Sequence, residues 1–214
     1  EKSEEVATLD DYLELEDRLY RQLDDEVYAT SETGPGHAID RYSAGSSADP
    51  RDWKPDWNRS FELGTDKPRG AILLLHGMSD SPYSLRSLGE ALNKKNYWVL
   101  GLRMPGHGTA PSGLRHISRQ DMAAAVRLGM THLGEKMKGK PIHMIGYSTG
   151  APLAIEFTLD ALEGDTAPVP ASLVLISPSL GVHSTAAVAG VKSSMGNLPG
   201  LGSLTYLQVQ PEFD

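Results

Sequence analysis

The sequence predicts an α/β protein, a doubly wound and mostly parallel sheet with helices on both faces. Three observations carry that expectation. Continuous apolar runs of strand length recur from Gly70 onward, Ala71–Leu75 being the clearest, and such runs suit strands buried on both faces. Stretches of helical period separate them, and strands alternating with helices of about 10–20 residues mean parallel crossover units. The runs open into loops rich in glycine and proline, such as Met104-Pro105-Gly106-His107-Gly108. With 214 residues, 39% of them hydrophobic, the chain is long enough to bury a core.

Residues 6–28 read as a helix, with Leu9, Leu13, Tyr20, Leu23 and Val27 near one face and acids around them. Such a stripe docks a helix on the body of a protein, and a partner-binding arm is the other reading. Thr33-Gly34-Pro35-Gly36 ends it, so residues 1–36 are set apart as an acidic N-terminal arm. The polar stretch from Ser43 to Pro55 separates two short strand candidates, near Ala38–Tyr42 and Arg59–Leu63. Trp53 and Trp57 flank Pro55 and read as local packing, since aromatic side chains mostly bury area. The strand Ala71–Leu75 follows. Ser81 and Pro82 then open a helix as N-cap and first helical residue, with Leu85, Leu88 and Leu92 inward. Tyr97–Leu102 is the next strand. Ser118 and Asp121 form an S-x-x-D helix start, continued by Met122, Val126, Leu133 and Met137 on one face. Strand Pro141–Gly146, helix Ala151–Leu162 and strand Ser172–Ser177 complete a core section spanning 37–182. From His183 to Asp214 the alternation stops, apart from a short helix expected at Thr185–Met195.

The net charge of -8 is local. Residues 1–26 hold eleven acids and three bases, whereas the remainder holds 17 of each. The arm is acidic and the body neutral, which excludes a basic surface for nucleic acid. No apolar run reaches the ~18 residues of a membrane-spanning helix. Without cysteine there are no disulfides, no thiolate chemistry and no cysteine-ligated zinc. The histidines lack ligand spacing such as H-x-x-x-H, so neither a metal nor an organic cofactor is implied.

Chemistry concentrates in Gly146-Tyr147-Ser148-Thr149-Gly150, a G-x-S-x-G placed where a buried strand gives way to a helix. That context makes Ser148 a nucleophile on a sharp turn, its Oγ raised above the sheet. Glycine at 146 and 150 leaves room where a side chain would strike the neighbouring strand or helix. An ordinary strand-to-helix turn with a capping serine is the plainer reading. His76-Gly77-Met78 follows the strand Ala71–Leu75 directly. In this architecture that loop supplies one backbone N–H of an oxyanion hole, here that of Met78, and Thr149 supplies the other. His107 lies in a loop that borders the site in open sheets. Chain order tells against it as the base, because the triad runs serine, acid, histidine. The same order makes His76 an orienting residue within its loop.

Leu75-His76-Gly77-Met78-Ser79, Met104-Pro105-Gly106-His107-Gly108 and Gly146-Tyr147-Ser148-Thr149-Gly150 together resemble the α/β-hydrolase superfamily. The likeness is closest to bacterial carboxylesterases and to monoacylglycerol-lipase-like (lysophospholipase) hydrolases, over residues 59–182, and the acidic arm lies outside it. The resemblance implies a serine hydrolase acting on small-molecule acyl esters, with Ser148 as nucleophile and the amides of Met78 and Thr149 as oxyanion donors. It also implies that residues 183–214 begin a lid or cap insertion. Other acyl bonds (amide, thioester, peptide) use the same elbow, and a non-catalytic binding protein on this fold is the alternative. After Ser148 the sequence has one histidine, His183, and the aspartates Asp160, Asp165 and Asp214. Asp160 and Asp165 are expected at the wrong end of the sheet. The catalytic acid and histidine, with the last strands of the sheet, are therefore expected on a following polypeptide segment or a second chain.

Overall fold

The apolar runs become strands and the periodic stretches become helices. The computed structural model describes residues 6–164 and 168–180. Its strands are β1 (Phe61–Leu63), β2 (Gly70–Leu75), β3 (Tyr97–Leu102), β4 (Ile142–Tyr147) and β5 (Ser172–Ile176). They form one sheet in the order β1-β3-β2-β4-β5. β1 pairs with β3 antiparallel, and every other pair is parallel. The helices are α1 (Leu9–Leu23), α2 (Arg86–Asn93), α3 (Arg119–Met137) and α4 (Gly150–Leu162).

Strand alternation sorts the core into two layers. Ala71, Leu73 and Leu75 of β2 point to a face shared with Leu9 and Tyr12 of α1, Val126, Met130 and Leu133 of α3, and Leu153 and Phe157 of α4. Ile72 and Leu74 point to the opposite face, where Leu88 and Leu92 of α2 pack. All six residues of β2 are buried, as a central strand covered on both sides requires. From β2 the chain moves outward to β3, then returns to the other side of β2 as β4. That reversal makes the carboxyl ends of β2 and β4 the switch point of the sheet, the place where open α/β sheets bind ligands.

Helix ends follow local chemistry. Ser118 and Asp121 form a reciprocal capping box at α3, as the S-x-x-D pattern indicates. Thr8 and Asp11 do the same at α1, which runs on through a π-helical turn, Asp24–Tyr28. At Ser81 the outcome differs. Pro82–Leu85 is a 3-10 turn ahead of α2, and the Ser81 hydroxyl donates to Asn58 Oδ1 at 2.7 Å instead of capping. The strand expected near Ala38–Tyr42 is absent, and a chain of turns stands there. The Tyr42 N–H donates to the Asp40 carboxylate at 2.9 Å, and the Ser43 N–H to the Asp40 carbonyl at 3.1 Å. An aspartate that bonds its own backbone two residues on competes with strand pairing, and here it wins. Trp57 packs edge-on to Phe61 with ring centroids 4.8 Å apart, whereas Trp53 is exposed. The expected helix at Thr185–Met195 lies outside the described residues.

Candidate active site

Three strand ends meet at this switch point. The register sets Leu75 beside both Leu102 and Gly146, so the loops opening at His76, Arg103 and Tyr147 are neighbours. Ser148 leaves β4 at φ 51°, in the left-handed region that a serine rarely adopts. Its own N–H donates to the Ile176 carbonyl at 3.0 Å, which ties the turn to the end of β5. Thr149 is the N-cap of α4, where backbone N–H groups lack intrahelical acceptors. The helix start also places positive partial charge beside the serine.

The glycines are sterically required. A Cβ on Gly146 would lie 2.5 Å from the Gly150 carbonyl oxygen and 2.6 Å from the Ala151 nitrogen. One on Gly150 would lie 2.3 Å from the Leu75 carbonyl oxygen. Gly77 faces the serine itself, since a Cβ there would come within 3.1 Å of Ser148 Cβ. The loop carrying Met78 is thus packed against the serine turn. Met78 extends a half-exposed side chain.

His76 is buried to 1% exposure and contacts both adjoining loops. Its Nε2 accepts from the Met104 N–H at 3.0 Å, so the ring proton sits on Nδ1, which donates to the Gly77 carbonyl at 2.9 Å. Burial, with a smaller push from His107, draws its pKa down to about 4 and keeps the ring neutral. His107 is also held below its ordinary value by burial, and its Nδ1 donates to the Pro105 carbonyl at 2.9 Å. The two rings meet edge to face at 5.1 Å. Each ring thus holds backbone groups of the adjoining loops. Asp160 lies on α4 and pairs with Arg127 at 3.4 Å, while Asp165 and His183 lie outside the described residues.

Sequence reasoning missed what the N-terminal arm does here. Tyr12 donates to the Arg103 carbonyl at 2.7 Å, Tyr20 to the Gly108 carbonyl at 3.2 Å and Tyr42 to the Thr109 carbonyl at 3.0 Å. Glu16, 3% exposed, accepts from Arg103 Nε at 2.8 Å and from the Ser60 N–H and hydroxyl at 2.8 and 2.9 Å. Burial would lower the Arg103 pKa, but Tyr12 and Glu16 outweigh it and hold the guanidinium charged. The arm, with Tyr42 just beyond it, therefore fixes the loop from Arg103 to Thr109. The available signal was a carboxylate, Glu16, in the middle of an apolar stripe, because a buried charge requires a partner.

The pattern of the family described as serine aminopeptidase, S33, matches residues 66–205, more than half of the chain. The chain belongs to this α/β-hydrolase family. It is 34% identical over 84 residues to a thermostable monoacylglycerol lipase of Bacillus sp. (strain H-257), a match covering 39% of this chain and 33% of the relative. It is 30% identical over 116 residues to a carboxylesterase of Bacillus subtilis (strain 168), covering 54% of this chain and 43% of the relative. The chain thus spans less than half the length of these curated relatives. Among solved structures, one of the metagenome-derived lipolytic enzymes LipS and LipT shares the fold, with a TM-score of 0.52 at 23% identity over 72% of this chain and 54% of the other. Among the described residues, no helix is long and apolar enough to cross a membrane.

Proposed function

We propose that this chain carries the nucleophile and oxyanion hole of a serine hydrolase acting on small carboxylic esters. The observation that supports this most is Ser148 at φ 51° between β4 and α4, flanked by two glycines that tolerate no Cβ. A binding protein needs no serine in a strained turn. Ser148 Oγ attacks the acyl carbonyl, and the N–H groups of Met78 and Thr149 receive the negative oxygen. A histidine takes the serine proton and passes it to the departing alcohol, and water then releases the acid from the acyl-enzyme. His76 is not that histidine, because its Nε2 already accepts from the Met104 N–H, and chain order tells against His107. His183 or a following segment is proposed as its source, with a carboxylate behind it.

A fluorophosphonate probe combined with ester turnover tests the reading. Wild-type protein, together with the segment that supplies the histidine, is expected to label at Ser148 and to hydrolyse nitrophenyl esters and monoacylglycerols. Aminoacyl nitroanilides run in parallel report on amide bonds, the chemistry that the family description names. Ser148→Ala should lose labelling and on the order of 10⁶-fold in kcat with its unfolding midpoint unchanged. Near-normal turnover by the alanine variant would remove Ser148 from the mechanism.

A further inference from the structure

Two peptide planes and one imidazole stand head to tail between α1 and the serine turn. The Tyr12 hydroxyl donates to the Arg103 carbonyl at 2.7 Å. The same peptide unit presents the Met104 N–H on its opposite side, and this donates to His76 Nε2 at 3.0 Å. His76 Nδ1 then donates to the Gly77 carbonyl at 2.9 Å, whose peptide unit ends in the Met78 N–H. Every donor in this series points the same way. Each bond withdraws electron density from the next donor, so the series is cooperative and its last N–H is the most strongly polarised. His76 and Arg103 are buried at 1% and 0% exposure, and Tyr12 at 3%, so bulk water does not screen the series.

We propose that Tyr12 is a positioning residue for hydrolysis, its phenol orienting and polarising the Met78 amide through the Arg103–Met104 peptide and His76. The proposal rests on the reading of Ser148 and Met78 given above. The Gly77–Met78 plane is fixed by its carbonyl, which also receives the Asp80 N–H at 3.4 Å, so the direction of the Met78 N–H is set before substrate arrives. A donor aimed in advance at the developing oxyanion acts on kcat rather than on ground-state binding. Tyr20 supplies an internal comparison. It too donates from α1 to a carbonyl of the Arg103–Thr109 loop, but that of Gly108, which is not in the series.

The test compares Tyr12→Phe with Tyr20→Phe in the full chain. Tyr12→Phe should lower kcat about tenfold at constant KM, a fraction of the ~10²–10³ lost with a whole oxyanion donor. Tyr20→Phe should leave kcat unchanged. In a His76→Asn background, whose amide keeps the bond to the Gly77 carbonyl but cannot reach Met104, Tyr12→Phe should have no further effect. With 3-fluorotyrosine at position 12, a stronger donor of nearly the same shape, kcat should rise. Equal losses in the two Phe variants, a change confined to KM, or additive losses with His76→Asn would overturn the proposal. The labelling assay separates the two levels. A wild-type protein unlabelled at Ser148 ends both the reading and the relay, whereas a labelled wild type with an unaffected Tyr12→Phe variant ends the relay alone.

Discussion

His76 has hydrogen-bond partners for one proton and no space for a second. Its pKa, drawn by burial from the ordinary 6.5 to about 4, and the lowered value of His107 act in the same direction. Between pH 4 and 6.5 the unfolded chain binds a proton at His76 that the folded one refuses. Stability from this source is therefore complete above the unfolded value and is lost as the pH falls toward 4. For His76 alone the span corresponds to about 3 kcal/mol. Replacing it with Asn should flatten the rise of unfolding free energy across that window, as read by urea denaturation at successive pH values. A slope equal to that of wild type would assign the dependence to other groups. Chain order reads His76 as an orienting residue within its loop. Its second contact was not legible, because Met104 reaches it through the register that sets Leu75 beside Leu102.

The element that defines the site is the β4 turn into α4, and it tolerates almost no added volume. Gly150→Ala would press a methyl group into the Leu75 backbone at 2.3 Å, where no flexible side chain can move aside. Overpacking of this kind costs about 1–3 kcal/mol or more, and chemical denaturation should find that loss in Gly150→Ala. Gly36→Ala, where a Cβ meets nothing within 4 Å and the backbone is likewise not left-handed, is the matched comparison. An equal loss at both positions would attribute the effect to backbone conformation alone. Strands were legible wherever burial on both faces enforced an apolar run, so the limits read for β2 and β3 fall within one residue of those observed. Around Ala38–Tyr42 the side chains looked equally suited to a strand, but Asp40 supplies its own backbone with a partner. Ser81 was read as a cap because the segment Ser81-Pro82 contains nothing that announces Asn58 as an acceptor. Local competition of the first kind can be anticipated from a sequence, whereas a contact 23 residues away cannot.

Across the whole molecule, α1 is part of the core rather than an appendage. Leu9 and Tyr12 join the layer built by β2, α3 and α4, and Glu16 neutralises Arg103, whose side chain is fully buried. Removing one member of a buried pair leaves the other charged without compensation, which costs about 3–5 kcal/mol. Glu16→Gln should show a loss of that order in denaturant titration, while Glu14→Gln, exposed on the same helix, should stay within about 0.5 kcal/mol of wild type. Similar losses in both would mean that the helix responds to net charge and not to the pair. The sequence disclosed that the helix docks, through its stripe. Which loop it holds was hidden, because Arg103 and its neighbours resemble any polar loop until the sheet order carries them under α1.

The arm's contacts have a consequence for the time course of synthesis. Glu16 and Arg103 are separated by 87 residues, and Tyr12 meets a carbonyl 91 residues ahead of it. At ribosomal rates of about 5–20 residues per second, the helix leaves the exit tunnel roughly 4–18 seconds before its partners leave it. For that interval its apolar stripe faces water with nothing to cover it. Asp10, Glu14, Asp17, Asp24, Asp25 and Glu26 line the outer side and remain exposed after folding. Exposed ion pairs such as Asp17–Arg59 contribute little to the finished structure, whereas a dense run of like charge favours solubility of the segment before it docks. The excess acid of the first 26 residues, set against a neutral remainder, suits a segment that waits alone before it packs against the loop from Arg103 to Thr109.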